Sequence, residues 1–209
     1  VFRLLEDSHG NIWISTISSA INGLARWNAA TGKLEDLAQS PGLPSSSNNL
    51  ARIFGEDSAG NIWIGYSRGV ARFRQGTFNF FTGNDGLPTG AIVQIYLDNK
   101  RRFWLASARS GLIEVESPEA VHPNFKSFTT AQGLSSNELS VITDDLSGRI
   151  YVGGGLGLDQ IDPATGRVNR FTAADGLASG ASLSAFRDRR GDLWFGTTSG
   201  LSRYTPTTN

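Results

Sequence analysis

Bulky apolar residues occur along this chain in short bursts, each preceded by a compact polar cluster that carries Asp together with Gly or Asn. In Ile12-Trp13-Ile14, successive bulky side chains fall on opposite sides of an extended strand, so both faces of its sheet must be covered. The cluster ahead of it, Asp7-Ser8-His9-Gly10-Asn11, has hairpin chemistry: Asp accepts backbone N–H bonds and Gly takes φ > 0. The string returns as Glu56-Asp57-Ser58-Ala59-Gly60-Asn61-Ile62-Trp63-Ile64 and, with substitutions, from Asp98 to Trp104, Asp145 to Tyr151 and Asp188 to Trp194. In every copy the aromatic lies six residues after the Asp. The five aromatics, Trp13, Trp63, Trp104, Tyr151 and Trp194, are spaced by 50, 41, 47 and 43 residues, a period that belongs to propellers and solenoids.

Between anchors each repeat reads as four short strands. The first gives Val1 to Glu6, Asn11 to Thr16, Gly23 to Trp27 and Lys33 to Leu37, and the polar segment Ser40 to Asn49 crosses to the next. The second runs Ala51 to Glu56, Asn61 to Tyr66, Gly69 to Arg74 and Thr77 to Thr82, closed by Asp85-Gly86-Leu87-Pro88. Ile92 to Leu97, Arg102 to Ser107, Gly111 to Glu116 and Phe125 to Thr129 form the third. Here Arg101 replaces the hairpin Gly, so this turn is expected to be the most distorted of the five. The fourth gives Ser140 to Asp144, Arg149 to Gly154, Leu158 to Asp162 and Val168 to Thr172. The fifth offers only Ser182 to Arg187, Asp192 to Thr197 and Leu201 to Tyr204. The expected fold is an all-β propeller of four-stranded antiparallel blades, with boundaries near 1–49, 50–90, 91–137, 138–180 and 181–209 in one domain, 1–209. Each anchor aromatic is expected to lie buried between adjacent sheets.

Charge and composition narrow the partners. Lys plus Arg equals Asp plus Glu at 19 each, so no global field draws in nucleic acid or an anionic membrane surface. No apolar run approaches the roughly 20 residues of a membrane span. With no Cys, disulfides, thiolate metal sites and Cys nucleophiles are excluded. Residues 1 to 5 lack the regions of a signal peptide, and the chain reads as an excised or processed segment.

The string E-D-S-x-G-N-I-W-I-G, then Gly-Val or Gly-Leu and an aromatic, then F-x-x-F-T and D-G-L-P, resembles the two-component regulator propeller repeat. Glu56 to Gly65, Gly69 to Phe73, Phe78 to Thr82 and Asp85 to Pro88 carry the resemblance best, and Asp188 to Tyr204 nearly as well. The departures are the Ile17 to Asn22 insertion, Arg101, and Gly153-Gly154-Gly155. The resemblance implies an extracytoplasmic, periplasmic sensor propeller of a bacterial histidine kinase or hybrid system, without catalytic residues of its own. It also implies about seven blades, roughly 300 residues at the observed period, so these five would belong to a larger ring or self-associate.

The recurring Asp series could suggest metal or acid–base chemistry, yet each member precedes a turn by fixed spacing and is expected to cap it. His9 and His122 lack a second imidazole or a carboxylate at ligand spacing, so no metal or cofactor is expected. Gly153-Gly154-Gly155-Leu156-Gly157 lacks the Lys-Ser/Thr of a phosphate loop and reads as close approach between strands. The basic clusters Lys100-Arg101-Arg102 and Arg187-Asp188-Arg189-Arg190 sit in hairpins between first and second strands. They read as a solvated rim or as a docking surface for an acidic partner. On the opposite rim, Tyr66, Arg68, Arg109, Asn49, Asn137 and Glu138 are the candidate binding residues for a small polar ligand or oligosaccharide. The alternatives are an interaction scaffold, or a propeller-type lyase or glycoside hydrolase.

Overall fold

The computed structural model describes residues 1–17, 23–44 and 50–207. The repeats form five antiparallel sheets, each a meander whose strands neighbour one another in chain order. The first comprises β1 (Arg3–Glu6), β2 (Ile12–Thr16), β3 (Gly23–Asn28) and β4 (Lys33–Asp36). The second comprises β5 (Ile53–Glu56), β6 (Ile62–Gly65), β7 (Val70–Arg74) and β8 (Thr77–Phe81), and the third β9 (Ile92–Leu97), β10 (Phe103–Ser107), β11 (Leu112–Glu116) and β12 (Asn124–Phe128). The fourth is β13 (Leu139–Asp144), β14 (Ile150–Gly154), β15 (Gly157–Ile161) and β16 (Val168–Phe171). Among the described residues the fifth has three strands, β17 (Ser182–Arg187), β18 (Leu193–Thr197) and β19 (Gly200–Tyr204).

The sheets stack along their first strands: β1 packs on β5, β5 on β9, β9 on β13 and β13 on β17. The first four anchor aromatics point into the gap ahead of their own sheets. Trp13 joins Phe54 and Phe78, Trp63 joins Ile95 and Phe103, Trp104 joins Leu139 and Ile142, and Tyr151 joins Leu193 and Phe195. The flanking isoleucines, such as Ile62 and Ile64, pack backwards on the preceding sheet, so the unbroken apolar triplet is explained by coverage on two sides. Trp194 departs from the expectation that every anchor is buried. No described sheet lies on its outer face, and it is only half-buried.

The hairpin Asp explains the six-residue spacing to the aromatic. Asp57 Oδ1 accepts the N–H of Ala59 (2.9 Å) and Asn61 (3.0 Å), while Oδ2 accepts the Trp63 indole N–H at 2.8 Å. Asp7, Asp98 and Asp188 hold Trp13, Trp104 and Trp194 in the same way, at 2.9, 2.9 and 3.0 Å. Asp145 accepts the Tyr151 hydroxyl at 3.1 Å. The carboxylate therefore closes the turn and also orients the core aromatic.

The turn at Arg101 is not distorted. Asp98 N–H donates to the Arg102 carbonyl at 3.0 Å and Arg101 N–H to the Asp98 carbonyl at 2.9 Å, the same pair that closes the hairpin at Asp7. Arg101 instead adopts φ 64, the left-handed conformation that Gly10, Gly60, Gly148 and Gly191 occupy in the other four. The departure from the repeat is thus borne as conformational energy, about 1–2 kcal/mol for a side-chain-bearing residue, rather than as altered geometry.

Three of the crossings contain a one-turn 3-10 helix. Thr82, Thr129 and Thr172 are the N-caps, and Asp85, Gln132 and Asp175 return a side-chain bond to the cap N–H. The D-G-L string is this device: Gly86, Gly133 and Gly176 take the left-handed cap and send Leu87 and Leu134 into the core.

Candidate functional site

Up-and-down strands give each sheet two ends. One carries the Asp hairpins and the β3–β4-type turns. The other carries the second-to-third-strand loops and the crossings between sheets. The hairpin acids are committed to structure, and for Asp7 and Asp188 the protonation reflects it. Partial burial raises the Asp7 carboxyl, but bonds from Trp13, Asn11 and His9 leave it below the ordinary range. The Trp194 indole bond, with the Arg190 and Asp192 amides, likewise lowers Asp188. Among the described residues no three His, Asp or Glu side chains converge as metal ligands.

The loop end redistributes the residues expected there. Tyr66 is not a surface group: it is 3% exposed, packs edge-on against Phe80, and belongs to the core between the first two sheets. Its backbone does the local work, accepting from Ile92 N–H at 3.0 Å, and burial raises its hydroxyl pKa. Asn137 is also structural, since its side-chain oxygen accepts the Thr130 N–H at 2.8 Å and its carbonyl the Gly111 N–H at 2.9 Å. Glu138 is exposed, and its carbonyl lies where a Cβ on Gly154 would come within 2.0 Å. This contact accounts for Gly154 as close strand approach, whereas a Cβ on Gly155 would meet nothing within 4 Å. Asn49 lies outside the described residues.

Arg68 and Arg109 remain as exposed cations on the loops of neighbouring sheets. Neither forms an ion pair among the described residues. The Arg109 loop is built to hold its shape: the buried Ser107 hydroxyl accepts the N–H of Arg109 (3.2 Å) and of Ser110 (3.1 Å). Gly90 lets the incoming crossing lie against it, since a Cβ there would meet Ser107 Oγ at 2.6 Å. Two residues missed by the sequence reading join this end. Arg52 Nε donates to Ser67 Oγ at 3.1 Å, in the same loop as Arg68, and Arg3 Nε donates to the Arg52 carbonyl at 3.3 Å. The available signal was a cation at the start of the first strand in two consecutive repeats. Arg3, Arg52, Arg68 and Arg109 therefore occupy one end of three successive sheets, and the segments 1–3, 50–52, 66–69 and 107–110 contain no carboxylate.

Meanders stacked by their first strands and pinned by Asp–aromatic pairs define a β-propeller. The family model described as Two component regulator propeller matches residues 1–18 and 176–199, stretches that contain the first and last Asp hairpins of the repeat. No curated protein matches the sequence. Among solved structures, the extracellular domain of a protein described as the hybrid two component system BT3049 of B. thetaiotaomicron superposes with TM-score 0.78 at 22% identity. That match covers 98% of this chain and 27% of the other. The extracellular domain of the one component system BT4673 of the same organism gives TM-score 0.75 at 22% identity, over 99% and 29%. A streptogramin B lyase gives TM-score 0.66 at 14% identity, over 99% and 68%. At these identities the likenesses establish the fold, and the chain spans less than a third of the two extracellular domains.

Proposed function

We propose that this chain is the ligand-sensing part of an extracytoplasmic two-component receptor. It would recognise a small polar ligand or oligosaccharide at the loop end and relay binding to a kinase outside the segment. The observation that carries the ligand end is the set Arg3, Arg52, Arg68 and Arg109 on three adjacent sheets, in segments without a compensating carboxylate. Guanidinium forks recognise carboxylates and vicinal hydroxyls by directed hydrogen bonds. The family match and the extracellular domains of similar fold support the receptor context.

The test is calorimetric titration with a panel of neutral and uronic-acid oligosaccharides. For a ligand that binds, Arg68→Ala and Arg109→Ala should each weaken affinity about tenfold, the worth of one charge-assisted hydrogen bond. Affinity unchanged in both variants would remove the loop end from the reading. Turnover of a glycan by the parent chain would replace sensing with the lyase or hydrolase alternative.

A further inference from the structure

The five Asp hairpins share one backbone, yet their tips differ in charge. The first two, Asp7 to Asn11 and Asp57 to Asn61, contain no Lys or Arg. The last three carry Lys100, Arg101, Arg102, Arg149, Arg189 and Arg190. Closure by the same backbone hydrogen bonds shows that the cations are not required by the turn.

Their placement is defined most closely between the third and fourth hairpins. A cleft of about 420 Å³ opens there, lined by Lys100, Arg102 and Arg149 together with Ser147 and Asp162. This volume lies within the range of small-ligand sites. The walls are tied together: Asn99 N–H donates to Asp144 Oδ2 at 2.8 Å, Asn99 Nδ2 to the Asp145 carbonyl at 2.8 Å, and Arg102 Nη2 to the Gly148 carbonyl. Asp144, fully buried beneath, also accepts the Tyr96 hydroxyl at 2.7 Å and pairs with Arg187 at 2.7 Å, which brings in the fifth sheet. The Lys100 stem lies along Gly148, where a Cβ would come within 2.8 Å of it.

Two of the nearby acids, Asp98 and Asp145, are already occupied by other donors. Asp98 is filled by the Lys100 and Arg102 amides, Arg102 Nε and the Trp104 indole. Asp145 is filled by two amides and the Tyr151 hydroxyl, and Arg149 reaches it only at 3.9 Å. Asp162, also on the cleft wall, caps its own turn by accepting the Ala164 and Thr165 amides at Oδ1; slight burial raises its carboxyl, but these amides and the Arg149 charge leave it below the ordinary range. Lys100 and Arg149 thus face the cleft with donors to spare, over walls that need no rearrangement.

We infer that the cleft between the third and fourth hairpins is an oxyanion site for a tetrahedral dianion, a sulfate or phosphate ester, held by Lys100 and Arg149 from opposite walls. Cations approaching from different sides match a tetrahedral group. A planar carboxylate is satisfied by one Arg fork. The site is distinct from the loop-end reading, on the other end of the sheets.

Inorganic sulfate is titrated against the chain at constant ionic strength set with chloride, read by calorimetry and by backbone amide NMR shifts. Saturable binding is expected, with shifts confined to residues 98–102 and 145–149. Lys100→Gln and Arg149→Gln should each weaken it about fivefold, and the pair should abolish it. Unliganded spectra and melting should stay as in the parent, because neither side chain holds a turn. Glucosamine 6-sulfate and glucose 6-phosphate distinguish the two ester sources, and glucuronate should bind more weakly than either. Sulfate binding that survives the double variant, a response no greater than chloride's, or glucuronate binding equal to the esters overturns the assignment. Loss of sulfate binding in Arg68→Ala with Arg109→Ala, but not in Lys100→Gln with Arg149→Gln, would place the anion at the loop end. The inference would then fail while the sensing proposal stood.

Discussion

Trp63 and Trp194 occupy the same place in the second and fifth sheets, but their surroundings differ. Each accepts the same structural support: an Asp six residues upstream holds the indole, and a cross-strand Arg lies over the ring, Arg72 at 5.6 Å and Arg203 at 5.6 Å. Trp63 is fully buried because the third sheet supplies Ile95 and Phe103, whereas Trp194 is half-buried beside exposed Phe186 and Leu201 on the same sheet face. Arg72 follows its tryptophan inward, donating to the Pro118 and Ala120 carbonyls of the β11–β12 turn at 2.6 and 2.5 Å, and burial lowers its pKa. Arg203 stays at the surface in an ion pair with Asp192 at 2.5 Å. The repeat unit therefore prepares its own aromatic, and the next sheet determines how much that aromatic stabilises.

The sharpest way to break this equivalence is truncation. Trp63→Ala should cost about 3–5 kcal/mol through the cavity it leaves, and Trp194→Ala about 1–2 kcal/mol, since solvent already touches that ring. Thermal or denaturant unfolding measures both, and equal losses would show that the neighbouring sheet adds nothing.

Next in size is the hairpin carboxylate. Because every contact to Asp57 is a donor, Asp57→Asn turns an NH₂ toward the Asn61 amide or the Trp63 indole and should cost about 1–3 kcal/mol. Asp188→Asn, at the exposed sheet, should cost less. In acid the direction is the same. Asp7 and Asp188 have lowered folded-state pKa values, so their stabilisation is present above about 3.8 and is lost as pH falls through the folded values. Unfolding followed from pH 6 to pH 2 checks this, and a midpoint that rises on acidification would contradict it.

The smallest effect on stability, and the most direct on association, concerns the two uncovered faces. Phe186 and Leu201 on the fifth sheet, and Leu4 and Leu34 on the first, are each more than three-fifths exposed. Together they resemble the two sides of an interior interface pulled apart. Phe186→Ser with Leu201→Ser should change melting by no more than about 0.5 kcal/mol but reduce self-association in sedimentation. A parent chain that stays monomeric at micromolar concentration would show that these faces need no partner.

The sequence was legible where one rule acts locally. Asp, Gly and the aromatic six residues on fix a hairpin and the first residues of its second strand, so the sheets and nearly all their strands follow from spacing alone. The family match at 1–18 and 176–199 falls on that same unit. The candidate site was legible only in part. Arg68 and Arg109 stand on loops that no other element covers, so their exposure follows from position. Tyr66 and Asn137 sit at the same end of their sheets, but the first sheet covers Tyr66 and a neighbouring turn claims Asn137.

By itself, then, the sequence determined the repeat, its period, the turn chemistry and the anchors, because these depend on residues within a few positions of one another. Tertiary structure decided what is buried and what can meet a ligand. Trp194 differs from Trp63 only through a sheet some forty residues away in the chain. Lys100 and Arg149 line one cleft only because two hairpins 47 residues apart are tied together over a buried Asp144. Burial and convergence depend on contacts between sheets, and no pattern within a single repeat encodes which sheet will be its neighbour.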